Sequence, residues 1–220
     1  MNIADFIDHT ILKAETSIEE VEKLCKESVG YGFAAVCIPP PFVKRAKALL
    51  SPTEIKIATV IGFPFGYSAT EAKLAEAVLA LVDGADELDA VINLVALRMN
   101  DWEFIKKEVS LLVEVTHQRK KKLKLIIESG ILTDEEIMNC CTKLGGLGID
   151  YMKTSTGYAA TGATLNAVAI MKEFLPAHVK IKASGGIRDY ITAKAFVDAG
   201  ASRLGCSASV AIALEAGAQN

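Results

Sequence analysis

Five charged residues stand at the ends of apolar segments in this 220-residue chain: Asp8, Asp89, Lys124, Lys153 and Lys182. Lysine is rarely buried, because taking its ammonium group out of water is costly unless the charge is paired. A single lysine in such a segment is explained by a side chain that points outward, pairs with a carboxylate or extends to solvent. Three of them indicate chemistry rather than packing alone.

The pair Lys153 and Lys182 carries the strongest chemical signal, because these lysines end consecutive apolar segments. Adjacent parallel strands lie about 5 Å apart, so two inward-facing ammonium groups would repel each other and lower the pKa of at least one. A lysine that is neutral near pH 7 is a nucleophile suited to Schiff-base formation with a carbonyl substrate. Asp89 and Lys124 would then supply the proton transfers.

Glycine-rich loops follow the same late segments. Ser184-Gly185-Gly186 comes soon after Lys182, Gly157 follows the Lys153 segment, and Gly205-Cys206-Ser207 closes the last one. Any one of these loops could be simple turn geometry. Three together predict a phosphate cradle, because glycine exposes backbone N–H groups and a helix N-terminus adds a positive dipole end.

The elements that position these residues follow from a regular alternation. Apolar runs of strand length alternate with segments of helical period, which is typical of a parallel α/β fold. The predicted strands are 7–10, 33–38, 56–61, 87–92, 123–127, 150–154, 179–183 and 203–206. Eight such units predict a (β/α)₈ TIM barrel, one domain over residues 1–220 with a short helical segment near its N-terminus. The alternative is an open doubly wound sheet, but no G-x-G-x-x-G follows the first strand.

Local signals mark where the helices begin. A Ser or Thr followed three residues later by Glu is typical of a capping box. The pairs with this spacing are Ser17/Glu20, Ser68/Glu71 and Thr133/Glu136. The basic run 119–122 is interpreted as the solvated C-terminal end of a helix.

Composition excludes several classes of function. The net charge of −3 argues against a polyanion-binding surface, so we expect no nucleic-acid partner. Five cysteines without C-x-x-C spacing and three scattered histidines predict neither a disulfide framework nor a zinc site. No apolar run reaches the length of a membrane span, and the first residues do not resemble a signal peptide. We therefore expect a cytoplasmic protein that does not bind membranes.

The strongest indication is a resemblance that covers nearly the whole chain. The segments that carry it are Asp8-His9-Thr10, Ala35-Val36-Cys37-Ile38, Glu87-Leu88-Asp89, Lys124-Leu125-Ile126-Ile127-Glu128, Lys153-Thr154-Ser155-Thr156-Gly157 and Lys182-Ala183-Ser184-Gly185-Gly186-Ile187-Arg188. In this order they resemble deoxyribose-phosphate aldolases, class I aldolases with a barrel fold. The resemblance implies reversible cleavage of 2-deoxy-D-ribose 5-phosphate to acetaldehyde and D-glyceraldehyde 3-phosphate, in deoxyribose phosphate catabolism, without a metal or organic cofactor. It also makes a homodimer or higher homo-oligomer an expectation.

The resemblance also implies roles for individual residues. Lys153 would be the Schiff-base lysine, Lys182 the second lysine that tunes it and exchanges protons, and Asp89 the proton donor and acceptor. Lys124 would belong to the proton relay. The residues that would contact substrate are Asp8 and Cys37 near the carbon chain, Thr156 near the Schiff base, and Gly157, Gly185, Gly186, Gly205 and Ser207 at the phosphate. Cys37 is equally well explained as a small buried side chain.

The sequence departs from the family's pattern after the last strand, and two alternative functions are also considered. Family members often have two serines after the last strand, whereas here Ala208 follows Ser207, so a phosphate contact could be missing or replaced by Ser209. The chain also resembles, by analogy of barrel and lysine, a class I aldolase or transaldolase for another sugar phosphate. A barrel kept only as a regulatory scaffold would be expected to lose some of the charged residues, and this chain has them all.

Overall fold

The protein is a closed barrel of eight parallel strands, seen in a computed structural model that describes residues 2–218. The strands are β1 (Ile7–Thr10), β2 (Ala35–Ile38), β3 (Lys56–Ile61), β4 (Glu87–Val91), β5 (Lys122–Ile126), β6 (Tyr151–Lys153), β7 (Lys180–Ser184) and β8 (Arg203–Cys206). They pair in chain order, and β1 closes the sheet on β8 with Asp8 opposite Gly205. The TIM-barrel prediction is confirmed, and the open-sheet alternative is wrong.

Helices cover the outside of the barrel. A 3₁₀ helix, Ile3–Phe6, precedes β1, as expected of the short helical segment. The α-helices are α1 (Ile18–Tyr31), α2 (Val43–Leu50), α3 (Thr70–Asp83), α4 (Leu94–Arg98), α5 (Trp102–His117), α6 (Asp134–Leu144), α7 (Leu165–Phe174), α8 (Tyr190–Ala199) and α9 (Ser209–Ala218). None of the helices in the described part of the chain is long and apolar enough to cross a membrane.

Two of the three predicted capping boxes are present. The Ser17 hydroxyl accepts from the Glu20 N–H, and the Glu20 carboxylate accepts from the Ser17 N–H at 2.8 Å. Thr133 and Glu136 make the same reciprocal pair at the start of α6. Each satisfies two N–H groups that the first turn of a helix leaves without partners.

The third box, Ser68/Glu71, is wrong. The residue that precedes α3 is Ala69, so Ser68 lies two positions before the helix and Glu71 is the second helical residue. A capping box requires the acidic residue at the third helical position, where its side chain reaches back to the capping N–H. The three-residue spacing is present, but the helix begins in a different register.

The barrel interior has an apolar part and a charged part. Cys37, Ala58 and Val60, on β2 and β3, form a small apolar cluster that Leu12 and Phe63 cover. The large aliphatic core lies elsewhere, between the outer faces of the strands and the helices. The remaining strands direct charged side chains inward, and these build the site.

Candidate active site

Asp89 is the centre of a buried charge network. Its Oδ1 accepts from Lys124 Nζ at 2.8 Å, and its Oδ2 accepts from Lys153 Nζ and Lys182 Nζ, each at 2.8 Å. Burial alone would raise the pKa of this carboxyl group, but the three ammonium groups hold the pKa well below its usual range. Asp89 is therefore ionised and joins all three predicted lysines.

Asp8 joins the same network from β1. It accepts hydrogen bonds from Lys182 Nζ through Oδ2 and from Arg203 Nη1 through Oδ1, the latter at 2.5 Å. Burial would raise the pKa of Asp8, yet Lys182 and Arg203 lower it below its usual value. Asp8 is therefore a buried carboxylate that forms ion pairs with Lys182 and Arg203.

The pKa of Lys182 changes in the direction opposite to that expected from lysine repulsion. Burial would lower it, but the carboxylates of Asp8 and Asp89 outweigh burial and hold the pKa well above its ordinary value. Because Asp89 Oδ2 accepts from both Lys153 and Lys182, a negative charge lies between the two ammonium groups. The raised pKa means that Lys182 is not the lysine whose pKa the predicted repulsion lowers.

Two buried residues of the charge network, Glu87 and Arg203, are not among the site residues predicted from the sequence. Glu87 Oε2 lies 2.5 Å from Lys124 Nζ, and Glu87 Oε1 accepts from Arg203 Nη2 at 3.1 Å. For both Lys124 and Arg203, burial would lower the pKa, but the neighbouring carboxylates raise it above the ordinary value. Glu87 could have been found, since it lies two residues before Asp89 on the same strand and so points to the same side.

The network carries one excess positive charge when all its groups are ionised. Its three carboxylates are Asp8, Glu87 and Asp89, and its four cations are Lys124, Lys153, Lys182 and Arg203. Burying an uncompensated charge is costly, so loss of one proton from a lysine would balance the network.

A cavity of about 600 Å³ opens at the C-terminal ends of the strands. Of the three network lysines, Lys153 lines it, whereas Lys124 and Lys182 lie beneath. The predicted site residues that also line it are Thr156, Gly157, Gly185, Gly186, Gly205 and Ser207. The fold thus brings one amine and the three glycine loops to a single cavity.

The loops present backbone donors to this cavity. Within residues 2–218, the N–H groups of Gly157, Gly186 and Ser207 have no hydrogen-bond acceptor. At Gly205 a side chain is excluded, because a Cβ atom there would lie 2.8 Å from Ser184 Cβ and 3.3 Å from Lys182 Cε. Helix α9 begins directly after this loop, and Arg188, which the motif contained but the site prediction omitted, lines the same cavity. This arrangement suits an anion.

Two residues considered as substrate contacts, Cys37 and Ser209, do not line the cavity. Cys37 lies inside the barrel with its Sγ 4.0 Å from Asp89 Oδ2, away from the open cavity, and burial raises the pKa of its thiol. The Ser209 hydroxyl is buried and donates to the Cys206 carbonyl at 2.8 Å, so the suggestion that it replaces a phosphate contact is wrong.

Comparison with known proteins decides the family. The family model "DeoC/LacD family aldolase" matches residues 3–216. The chain belongs to this aldolase family. A deoxyribose-phosphate aldolase of Thermococcus gammatolerans is 46% identical over 214 residues, which cover 96% of this chain and 95% of that protein. The Bacillus cereus protein of the same name is 47% identical over 214 residues, covering 97% and 96%.

Solved structures of family members share the architecture. A structure named "QR15, an Aldolase" has a TM-score of 0.95 and 37% identity, and the match covers 100% of this chain and 97% of that one. A deoxyribose phosphate aldolase from Aeropyrum pernix, described as a unique tetrameric structure, has a TM-score of 0.91 at 32% identity, covering 99% and 92%.

Proposed function

We propose that this aldolase reversibly cleaves 2-deoxy-D-ribose 5-phosphate to acetaldehyde and D-glyceraldehyde 3-phosphate through a Schiff base on Lys153. The observation that carries the proposal is that Lys153, of the three network lysines, lines the cavity that also holds the free loop N–H groups. Its Nζ lies 2.8 Å from a buried carboxylate that can exchange protons with it. The relatives named deoxyribose-phosphate aldolase support the choice of substrate.

The reaction begins at the Lys153 amine. The neutral amine adds to C1 of the open-chain sugar, and the former carbonyl oxygen takes up protons and leaves as water, which gives an iminium ion. A base then removes the proton of the C3 hydroxyl, and the C2–C3 bond breaks. Its electron pair moves toward the iminium nitrogen to form an enamine, while C3 becomes the carbonyl carbon of glyceraldehyde 3-phosphate. Protonation of C2 and addition of water release acetaldehyde and restore the amine.

The network supports the proton transfers. Asp89 accepts hydrogen bonds from Lys153 and Lys182 through one oxygen and from Lys124 through the other. Asp89 can therefore take up a proton from Lys153 and return it without a large movement of side chains.

We assign the phosphate end to the glycine loops that line the cavity. The N–H groups of Gly157, Gly186 and Ser207, together with the start of α9, would bind the phosphate oxygens. Gly185 and Gly205 would allow the backbone to approach the ligand closely. We place Thr156, Asp8 and Cys37 around the carbon chain, with Asp8 and Cys37 acting from beneath the cavity.

Assembly and physiological setting belong to the same proposal. The tetrameric A. pernix aldolase supports a homo-oligomer, which mass measurement in solution would test. The absence of nucleic-acid binding, the cytoplasmic location and the role in deoxyribose phosphate catabolism rest on the sequence expectations.

Two measurements test the proposal. Incubation with deoxyribose 5-phosphate should release glyceraldehyde 3-phosphate, followed by a coupled dehydrogenase. Borohydride reduction with acetaldehyde should attach an ethyl group to Lys153 and leave a Lys153→Ala variant unmodified. Trapping at Lys153 without cleavage of deoxyribose 5-phosphate would favour a class I aldolase or transaldolase for another sugar phosphate, and absence of both would refute the proposal.

A further inference from the structure

Glu128, two residues after the end of β5, is a buried acidic residue that the proposed chemistry does not use. The residue is 4% exposed, and its backbone lies in the left-handed region with φ 54°. Among the residues that the structure describes, no cationic side chain pairs with it. Glycine or asparagine would adopt this backbone more readily, and an apolar residue would avoid the cost of a buried carboxylate. Such a combination of costs is typical of a residue held in place for function.

The carboxylate of Glu128 binds one residue of the loop that follows Lys153. It accepts from the Thr156 N–H, with Oε1 at 3.2 Å and Oε2 at 3.4 Å, and from the Thr156 hydroxyl. The Thr156 Oγ1 in turn accepts from the Tyr158 N–H at 3.0 Å. These bonds fix both sides of Gly157 and leave the Gly157 N–H without an acceptor in residues 2–218.

The neighbouring backbone strengthens this contact. The Ser129 N–H donates to the Thr154 carbonyl at 2.7 Å. A Cβ atom on Gly130 would lie 2.0 Å from the Thr161 carbonyl oxygen, so the two loops are in direct backbone contact. The β5 loop therefore forms a rigid base on which Glu128 orients the β6 loop.

We propose that Glu128 is a positioning residue for the anion end of the substrate. It acts through Thr156: it holds the turn of residues 156–158 so that the Gly157 N–H faces the cavity and binds a phosphate oxygen. This role rests on the proposed phosphate site and deepens it. Glu128 does not line the cavity itself, and Lys153 lies at the other end of the loop, on β6.

The test measures the affinity of the full-length protein for inorganic phosphate by calorimetric titration. Glu128→Ala should weaken binding roughly 10- to 100-fold, the range expected for loss of hydrogen bonds to a charged group. Glu128→Gln keeps an acceptor oxygen and should lie between this variant and the original protein. The exposed Glu135, on the first turn of α6, provides the control, since Glu135→Gln removes the same charge and should leave phosphate affinity unchanged.

Two further readouts separate positioning from loss of structure. Borohydride trapping of acetaldehyde on Lys153 should proceed as before in both Glu128 variants, because it does not use the anion site. The effects of Glu128→Ala and Thr156→Val should not add, since both remove the same hydroxyl contact. Unchanged phosphate affinity in the Glu128 variants, or equal loss of trapping and phosphate binding, would overturn the inference. Weakened phosphate binding in a protein that does not cleave deoxyribose 5-phosphate would support Glu128 and refute the proposed substrate.

Discussion

Replacement of Asp89 by asparagine tests the charge network most directly. The substitution keeps the shape of the side chain but removes the charge that accepts three hydrogen bonds of 2.8 Å from lysines. The excess of positive charge rises from one to two, because two carboxylates then face four cations. Removal of one partner from a buried ion pair costs about 3–5 kcal/mol. We expect a loss of this size in the free energy of unfolding, measured with urea at pH 7.

Activity should fall for a separate reason. The asparagine side chain cannot take up or return protons, and loss of a general acid–base group lowers rates by roughly 10²- to 10⁴-fold. The double variant Asp89→Asn/Lys124→Met separates the two effects, because it restores the original excess of one positive charge without restoring a proton acceptor. Its stability should exceed the value expected from adding the two single losses. Its turnover in the coupled assay should stay at the level of Asp89→Asn.

An exposed ion pair provides the control for the loss of charge at Asp89. Asp198→Asn removes a charge from the exposed pair with Lys194 and should leave stability nearly unchanged. If Asp89→Asn were as stable as that control, Asp89 would not compensate the buried cations. If the double variant recovered turnover, the role of Asp89 in proton transfer would be refuted.

Three other predictions follow from the structure. The folded-state pKa values of Asp8 and Asp89 lie below the ordinary 3.8. The stability that these two carboxylates give to the folded protein is therefore present above about pH 4 and is lost as pH falls below it. Equal urea midpoints at pH 6 and pH 3 would contradict this. Gly205→Ala forces a Cβ to within 2.8 Å of the facing serine on β7 and should cost about 1–3 kcal/mol in thermal unfolding, with reduced turnover; unchanged stability would show that β7 and β8 can separate. Thr133→Ala removes a helix cap and should cost about 1 kcal/mol, whereas Ser68→Ala should cost much less; equal losses would mean that Ser68 also caps a helix.

The strands could be predicted from the sequence because their signal is local. Apolar runs such as 56–61 are covered on both faces, so their composition alone marks them, and all eight strands lie within two residues of their predicted bounds. Lys153 was found in the same way, because a charged residue at the end of such a run is costly unless it has a use. The loop glycines were found from their motifs, and the structure places them around one cavity.

The partners of these residues depended on closure of the barrel. Arg203 binds Asp8, 195 positions away in the chain, only because β8 pairs with β1. The same closure places Asp89 between Lys153 and Lys182 and Asp8 against Lys182, and these carboxylates raise the pKa of Lys182. Glu128 shows the same limit, since its role depends on a loop contact with Thr156. Residue type and local spacing thus determined which groups are present, whereas the tertiary structure decided which charges meet, because electrostatic energies depend on distance and burial.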